Sequence, residues 1–153
     1  TLEEYFAIDF PLPQVWHQSS EIAIQFDQWH TTRVDEIARA IQALVSTHNE
    51  PRSVAAKFLN TFMHQLMKYE PCRPLLPVLH LPLDARVFAT LSKLHVKSLA
   101  PVQDLLSRSP YSLPYEDHIQ VQRALLAFVN ELNARPETEF KIHPRIELNW
   151  LWV

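Results

Sequence analysis

The stretch PRSVAAKFLNTFMHQLM, residues 51–67, decides the fold class of this chain. Pro51 suits the first turn of a helix, where its missing N–H leaves no hydrogen bond unmade. The apolar side chains then recur every three or four residues, the period of a helix face: Val54, Ala55, Phe58, Leu59, Phe62, Met63, Leu66 and Met67. The stretch predicts a long amphipathic helix, and the same period returns through most of the chain.

Two further helices are predicted before this stretch. Apolar residues recur at helical spacing over residues 20–29 and again over residues 34–48. Thr31 and Thr32 interrupt the pattern, and Thr32 with Asp35 matches a capping box, the pair that starts a helix. We therefore expect a break between the two helices at Thr31.

A segment with four prolines follows the central helix, at Pro71, Pro74, Pro77 and Pro82. Because proline excludes an α-helix interior, we expect a non-helical joint over 71–83. This divides the chain into an N-terminal helical lobe, 1–70, and a C-terminal lobe, 84–153, unless both belong to a single domain. The prolines also have P-x-x-P spacing around Arg73, typical of a polyproline ligand. The apolar residues between them favour a linker that folds back on the core.

The second half predicts helices with short joints and a terminal strand. Asp84 can cap one helix, a short helix starts at Pro101, and a long one runs from about Tyr115 to before Pro136. The tail alternates apolar and polar residues over 146–152, which is typical of a half-buried strand, and we pair it with residues 4–10. The expected fold is mainly α, an irregular bundle of about six helices with a small two-stranded element joining the termini.

The chain contains no glycine, where average usage of about 7% would supply roughly eleven. P-loops, dinucleotide fingerprints, kinase loops and nucleophile elbows all require glycine at fixed positions. The net charge of −3 provides no positive field for a polyanion. Cys72 is the only cysteine, and no apolar run is long enough to span a membrane, so we expect a cytoplasmic protein. A start at Thr1 rather than Met is consistent with a preceding N-terminal segment.

Eight histidines raise the question of a metal site, but no two of them lie at i and i+4. The nearest local match is Asp27 with His30. A metal- or thiol-dependent enzyme would have to combine histidines from separate helices, such as His30 or His118, with Cys72, Asp27 or Asp117. We expect neither a metal nor another cofactor, and no catalytic residues.

Residues 81–135 resemble the C-terminal domain of the bacterial RNA polymerase α subunit. The matching positions are Leu81, Leu83, Arg86, Leu91, Val96, Val102, Asp104, Leu105, Leu106, Arg108, Ser109, Leu125, Phe128 and Leu132. The resemblance implies that Arg86 enters a DNA minor groove and that Arg123 contacts phosphate, both on one exposed face near helix N-termini. Three further contact positions depart from the family: Ala89, Val121 and Ala124. The first seventy residues resemble a family of uncharacterised cyanobacterial proteins, which implies no activity.

These observations predict a non-catalytic protein–protein interaction module, an adaptor or regulator linked to transcription. The expected partner is a protein, with RNA polymerase or another transcription factor as candidates and no membrane. Candidate contact residues are Trp150, Trp152 and Arg73, since tryptophan and arginine are enriched at binding hot spots. A DNA-binding domain that uses Arg86 and Arg123 is the alternative, and the metal or thiol enzyme is the second alternative.

Overall fold

The structure is a computed structural model that describes residues 19–137 together with Arg145, Glu147 and Leu148. This part of the chain forms five α-helices: α1 (Ser19–Ile41), α2 (Pro51–Leu66), α3 (Ala85–Leu91), α4 (Gln103–Leu106) and α5 (Tyr115–Asn133). It also forms three 3-10 helices, at Gln42–Leu44, Glu70–Val78 and Lys97–Val102. The mainly helical class is confirmed, although these residues form five α-helices instead of about six.

Helix α1 is continuous through Thr31 and Thr32, so the predicted break is wrong. Each threonine hydroxyl donates to the carbonyl oxygen one turn earlier, Thr31 to Asp27 at 2.8 Å and Thr32 to Gln28 at 3.0 Å. These bonds satisfy the hydroxyls within the helix and leave its backbone N–H groups free for the helical ladder. At long range, the Ser53 hydroxyl donates to the Leu113 carbonyl at 2.6 Å and holds α2 beside the residues that precede α5.

The proline-rich segment forms a 3-10 helix over Glu70–Val78, so the predicted non-helical joint is wrong here. Proline fixes φ near −65°, which lies within the range of a 3-10 helix even though the ring cannot continue an α-helix. Leu75, Val78 and Leu79 are buried, while Arg73 is exposed. The interleaved apolar residues therefore pack onto the core, as the linker interpretation predicts.

The buried side chains form two hydrophobic clusters that meet at His80. The first lies between α1, α2 and the 3-10 helix at 70–78. The second lies between α3, α4, α5 and the residues on either side of them, from Leu81 to Leu148. Helix α5 reaches both, because Tyr115 belongs to the first cluster and Val121 to the second.

The described part of the tail does not have the predicted strand conformation. Arg145, Glu147 and Leu148 have 3-10 conformation, and Leu148 is buried in the second cluster. Alternation over so few residues does not distinguish a strand from a turn with one buried side chain. The proposed partner strand at 4–10 lies outside the described residues. Within the described ranges, no helix is both long and apolar enough to cross a membrane.

Candidate functional site

Three buried histidines lie where the two hydrophobic clusters meet. His30 comes from α1, His80 from the segment between the clusters and His118 from α5, and none is more than 1% exposed. The ring centroids of His30 and His80 are 4.4 Å apart. Phe26 packs against both rings, at 5.8 and 5.5 Å. We call the side chains of His30, His80 and His118 the histidine cluster.

His30 connects three helices through its two ring nitrogens. Its Nε2 lies 2.7 Å from Oδ1 of Asn60 in α2, and its Nδ1 lies 2.9 Å from the hydroxyl of Tyr115 in α5. Because a carbonyl oxygen can only accept, the ring proton belongs on Nε2 and the Tyr115 hydroxyl donates to Nδ1. His30 is thus a neutral imidazole whose donor and acceptor are both satisfied.

The other two histidines are less completely paired. His80 donates through Nε2 to Oδ1 of Asp27 at 2.9 Å. Among the described residues, Nδ1 of His80, Nε2 of His118 and Nδ2 of Asn60 have no hydrogen-bond partner. An unpaired buried polar group costs about 1–3 kcal/mol of stability. The histidine cluster is therefore a polar region that lowers the stability of the fold where the two apolar clusters meet.

Burial keeps the histidine cluster uncharged at neutral pH. It lowers the pKa of His30 to about 4 and the pKa of His118 to about 3. The pKa of His80 is also well below its ordinary value, because burial disfavours its charged form and the positive charge of Arg145 acts in the same direction. Burial raises the pKa of Asp27, against the opposing effect of Arg145 and Arg123.

Two side chains hold the extended backbone between the clusters. Gln122 exchanges two hydrogen bonds with Leu81: the Leu81 N–H donates to Oε1 at 3.0 Å, and Nε2 donates to the Leu81 carbonyl at 2.7 Å. Arg145 donates from Nη2 to the Val78 carbonyl at 2.8 Å and from Nη1 to the Gln122 carbonyl at 3.2 Å. The backbone groups of Leu81 and the carbonyl of Val78, at the end of the 3-10 helix, find hydrogen-bond partners in this way.

Arg52 links this interior to the surface. Its guanidinium donates to Asp35 and to Glu116, each at 2.8 Å, and lies 4.4 Å from the centroid of the Tyr115 ring. Tyr115 in turn contacts His30. The arginine therefore stacks on the outer side of the ring whose hydroxyl contacts the histidine cluster.

The outward side of α2 is aromatic, and we call its exposed residues Phe58, Thr61, Phe62 and Gln65 the outer face of α2. Phe58 is 60% exposed and Phe62, one turn later, is 41% exposed. Tyr69, shortly after the helix, is 64% exposed. The opposite side of α2 is buried in the first cluster. The helix is therefore apolar on two sides, and among the described residues only one of these sides packs against the core.

The sequence pattern contains a signal for this face that the helix prediction overlooks. Apolar residues on a core-facing helix normally occupy three or four positions in two turns. Here Phe58 and Phe62 occur in addition to Ala55, Leu59 and Met63, so the apolar stripe is too broad for one interface. The histidine cluster had no comparable signal, because its members come from distant parts of the chain.

The two arginines of the polymerase resemblance are both exposed, but they do not occupy equivalent places. Arg86 is the second residue of α3, whereas Arg123 lies more than two turns into α5. Val121 is buried inside the same helix, where its N–H belongs to the helical ladder. The expectation that both arginines lie beside helix N-termini is therefore wrong for Arg123.

The remaining predicted residues are dispersed. Arg73 is exposed, and Trp150 and Trp152 lie outside the described residues. Cys72 packs against the first cluster, and Asp117 lies 3.9 Å from Arg108. Within residues 19–137 and the three tail residues described, no three His, Cys, Asp or Glu side chains are arranged to hold a metal ion.

Comparison with models of protein families, with curated proteins and with solved structures gives no match to this chain. The resemblance of residues 81–135 to the polymerase α-subunit domain therefore stays a prediction that rests on the residues themselves. The resemblance of the first seventy residues likewise stays a prediction.

Proposed function

We propose that this chain is a non-catalytic protein–protein interaction module that binds its partner through the outer face of α2. The observation that carries the proposal is the exposure of Phe58 and Phe62 on adjacent turns of one helix. Burying a phenylalanine side chain contributes about 1.5–3 kcal/mol, and aromatic side chains are enriched at interfaces. A rigid helix that presents two of them offers a partner two ready anchors.

The enclosure of the polar groups also favours binding over catalysis. The imidazole–carboxylate pair of His80 and Asp27 has the composition of a general base, but His80 is only 1% exposed. A general base must come within hydrogen-bond reach of the proton that it removes. The His80 imidazole therefore lies behind other side chains, although its partner Asp27 is partly exposed, whereas the aromatic anchors are at the surface.

The finer parts of the proposal concern partner and location. An adaptor or regulator linked to transcription, with RNA polymerase or another transcription factor as partner, rests on the resemblance of residues 81–135. A cytoplasmic location rests on the single cysteine, Cys72. No membrane partner is proposed.

The test is affinity capture from an extract of the organism that encodes the chain. The bait proteins are wild type, the double variant Phe58→Ser/Phe62→Ser and the control Leu44→Ser, which removes an 86% exposed leucine outside α2. We expect a stoichiometric partner with wild type and with the control, and at least a tenfold loss with the double variant. Thermal unfolding of each bait verifies that it is folded. No partner, or equal capture by all three baits, would overturn the proposal.

A DNA-binding domain is the alternative, favoured by the exposure of Arg86 and Arg123. Its signature is duplex binding that weakens steeply with salt, because phosphate contacts release counterions. The variant Arg86→Ala should then abolish binding to an A·T-rich duplex. Absence of duplex binding at low salt would remove this alternative and leave the interaction module.

A further inference from the structure

We infer that the partner of the outer face of α2 is an acidic amphipathic helix. This inference rests on the proposed function and adds the chemistry of the partner. It follows from the charges that flank the two phenylalanines.

Residues 51–69 contain no aspartate or glutamate, although the whole chain has a net charge of −3. Lys57, His64 and Lys68 follow one another at helical spacing along the flank of the outer face of α2. Lys68 is exposed. Burial lowers the pKa of His64 and the nearby charge of Lys68 lowers it further, so the positive charges of this flank are those of Lys57 and Lys68. The flank is thus a local positive strip beside an aromatic row.

Among the described residues, other nearby charges do not reverse this sign. Arg52 is already paired with Asp35 and Glu116. Lys57 donates to the hydroxyl of Tyr111 at 2.9 Å. Glu70 is the first acidic residue after the helix and is followed by the exposed Arg73. A partner therefore meets excess positive charge along the outer face of α2.

Helix geometry specifies the shape of the partner. Phe58 and Phe62 form a ridge with i, i+4 spacing, which packs into the groove of another helix. That helix needs apolar residues at i, i+3 or i+4, and i+7, with acidic residues beside them. A short helix feels charges within the Debye length of about 8 Å, so the local strip outweighs the net charge of the chain. An anionic membrane is much wider than the strip, so it would also meet the negative charges that surround it.

The probes are three labelled helical peptides that share the same leucine row. Their flanking positions are all Glu, all Gln or all Lys, and binding is measured by fluorescence anisotropy at low and physiological salt. We expect the Glu peptide to bind about tenfold more tightly than the Gln peptide, consistent with two solvent-accessible ion pairs, to Lys57 and Lys68. The Lys peptide should bind most weakly, and the preference should decrease with salt.

Matched charge reversals connect the preference to α2. Lys68→Glu should weaken binding of the Glu peptide by about fivefold or more and strengthen binding of the Lys peptide. Lys93→Glu makes the same change at an exposed site after α3 and should leave the binding of both peptides unchanged. Phe58→Ser should abolish binding of every peptide.

The outcomes separate the two proposals. Equal binding of the three peptides, with loss in Phe58→Ser, would overturn the acidic partner and retain docking through α2. The same holds if no peptide binds while affinity capture still depends on Phe58 and Phe62. Self-association in sedimentation equilibrium that Phe58→Ser abolishes would assign the face to a second copy. Binding to phosphatidylserine vesicles that Phe58→Ser abolishes would assign it to a membrane, and either result would overturn the inference.

Discussion

At the scale of single residues, the described interior depends on a few polar side chains that act at long sequence separation. Gln122 is buried, and both ends of its amide bond to the backbone of Leu81. A glutamine amide has one acceptor and two donors, so it can stand in for the neighbouring strand that the extended segment lacks. The cost of losing such a residue lies mainly in the backbone groups left unpaired.

We predict that Gln122→Leu lowers the free energy of unfolding by about 2–4 kcal/mol. Leucine has a similar size, so the main change is that the N–H and the carbonyl of Leu81 lose their partners, at about 1–3 kcal/mol each. Urea unfolding followed by circular dichroism measures the loss. The control Gln120→Leu alters an exposed residue two positions earlier and should change stability by at most about 0.5 kcal/mol. A loss below 1 kcal/mol for Gln122→Leu would contradict the prediction.

At the scale of elements, local signals predicted where several helices begin. Pro51 begins α2, Tyr115 begins α5, and Asp84 caps α3 by accepting from the Val87 N–H at 2.9 Å. The errors occurred where a side chain had two local options. Thr32 can start a helix or donate back within one, and only the continuation of α1 against the first cluster favours the second option.

The same limit explains why the functional surface was only partly predictable. The helical period of residues 51–67 correctly predicted α2, but periodicity does not show how many sides of a helix find partners. Phe58 was expected to face the core and is exposed instead, because Ala55, Leu59 and Met63 already fill the contact with α1 and the 3-10 helix at 70–78. Tertiary packing decides this, and a single sequence does not contain it.

We predict that Asp84→Ala destabilises the protein by about 1 kcal/mol and increases hydrogen exchange of the Val87 amide. The carboxylate satisfies one of the free N–H groups at the start of α3, and alanine cannot replace it. The matched control is Asp84→Asn, because asparagine caps as well as aspartate does. Equal losses for both variants would show that the charge of Asp84, and not its capping bond, is responsible.

At the scale of the whole molecule, the two apolar clusters meet at the histidine cluster, whose imidazoles are uncharged at neutral pH. His30, His80 and His118 come from three separate elements, which is why no local spacing in the sequence indicated their proximity. Two ionisable side chains border these histidines: Asp27, which accepts a hydrogen bond from His80, and Arg52, which stacks on Tyr115. The stability of the joined state should therefore depend on pH through the histidine cluster.

We predict that the free energy of unfolding is highest above pH 6.5 and falls progressively as the pH decreases toward 4. The pKa of His30 is about 4 and that of His118 about 3 in the folded chain, against 6.5 when unfolded. Between these values the unfolded state binds more protons than the folded state, so acid favours unfolding. The raised pKa of Asp27 acts in the opposite direction near pH 4. Urea unfolding at pH 7.5, 6.5, 5.5 and 4.5 measures the curve.

The variant His118→Gln assigns part of that dependence to the histidine cluster. Glutamine does not titrate, so the decrease in the free energy of unfolding between pH 7 and pH 5 should be about 2 kcal/mol smaller than in wild type, the linkage expected for one histidine with such a shift. The exposed His95 provides the control, and His95→Gln should reproduce the wild-type curve. The comparison uses the change with pH within each protein, so a lower stability of His118→Gln at every pH does not affect it. Parallel curves for His118→Gln and wild type would show that the acid sensitivity comes from groups outside the histidine cluster.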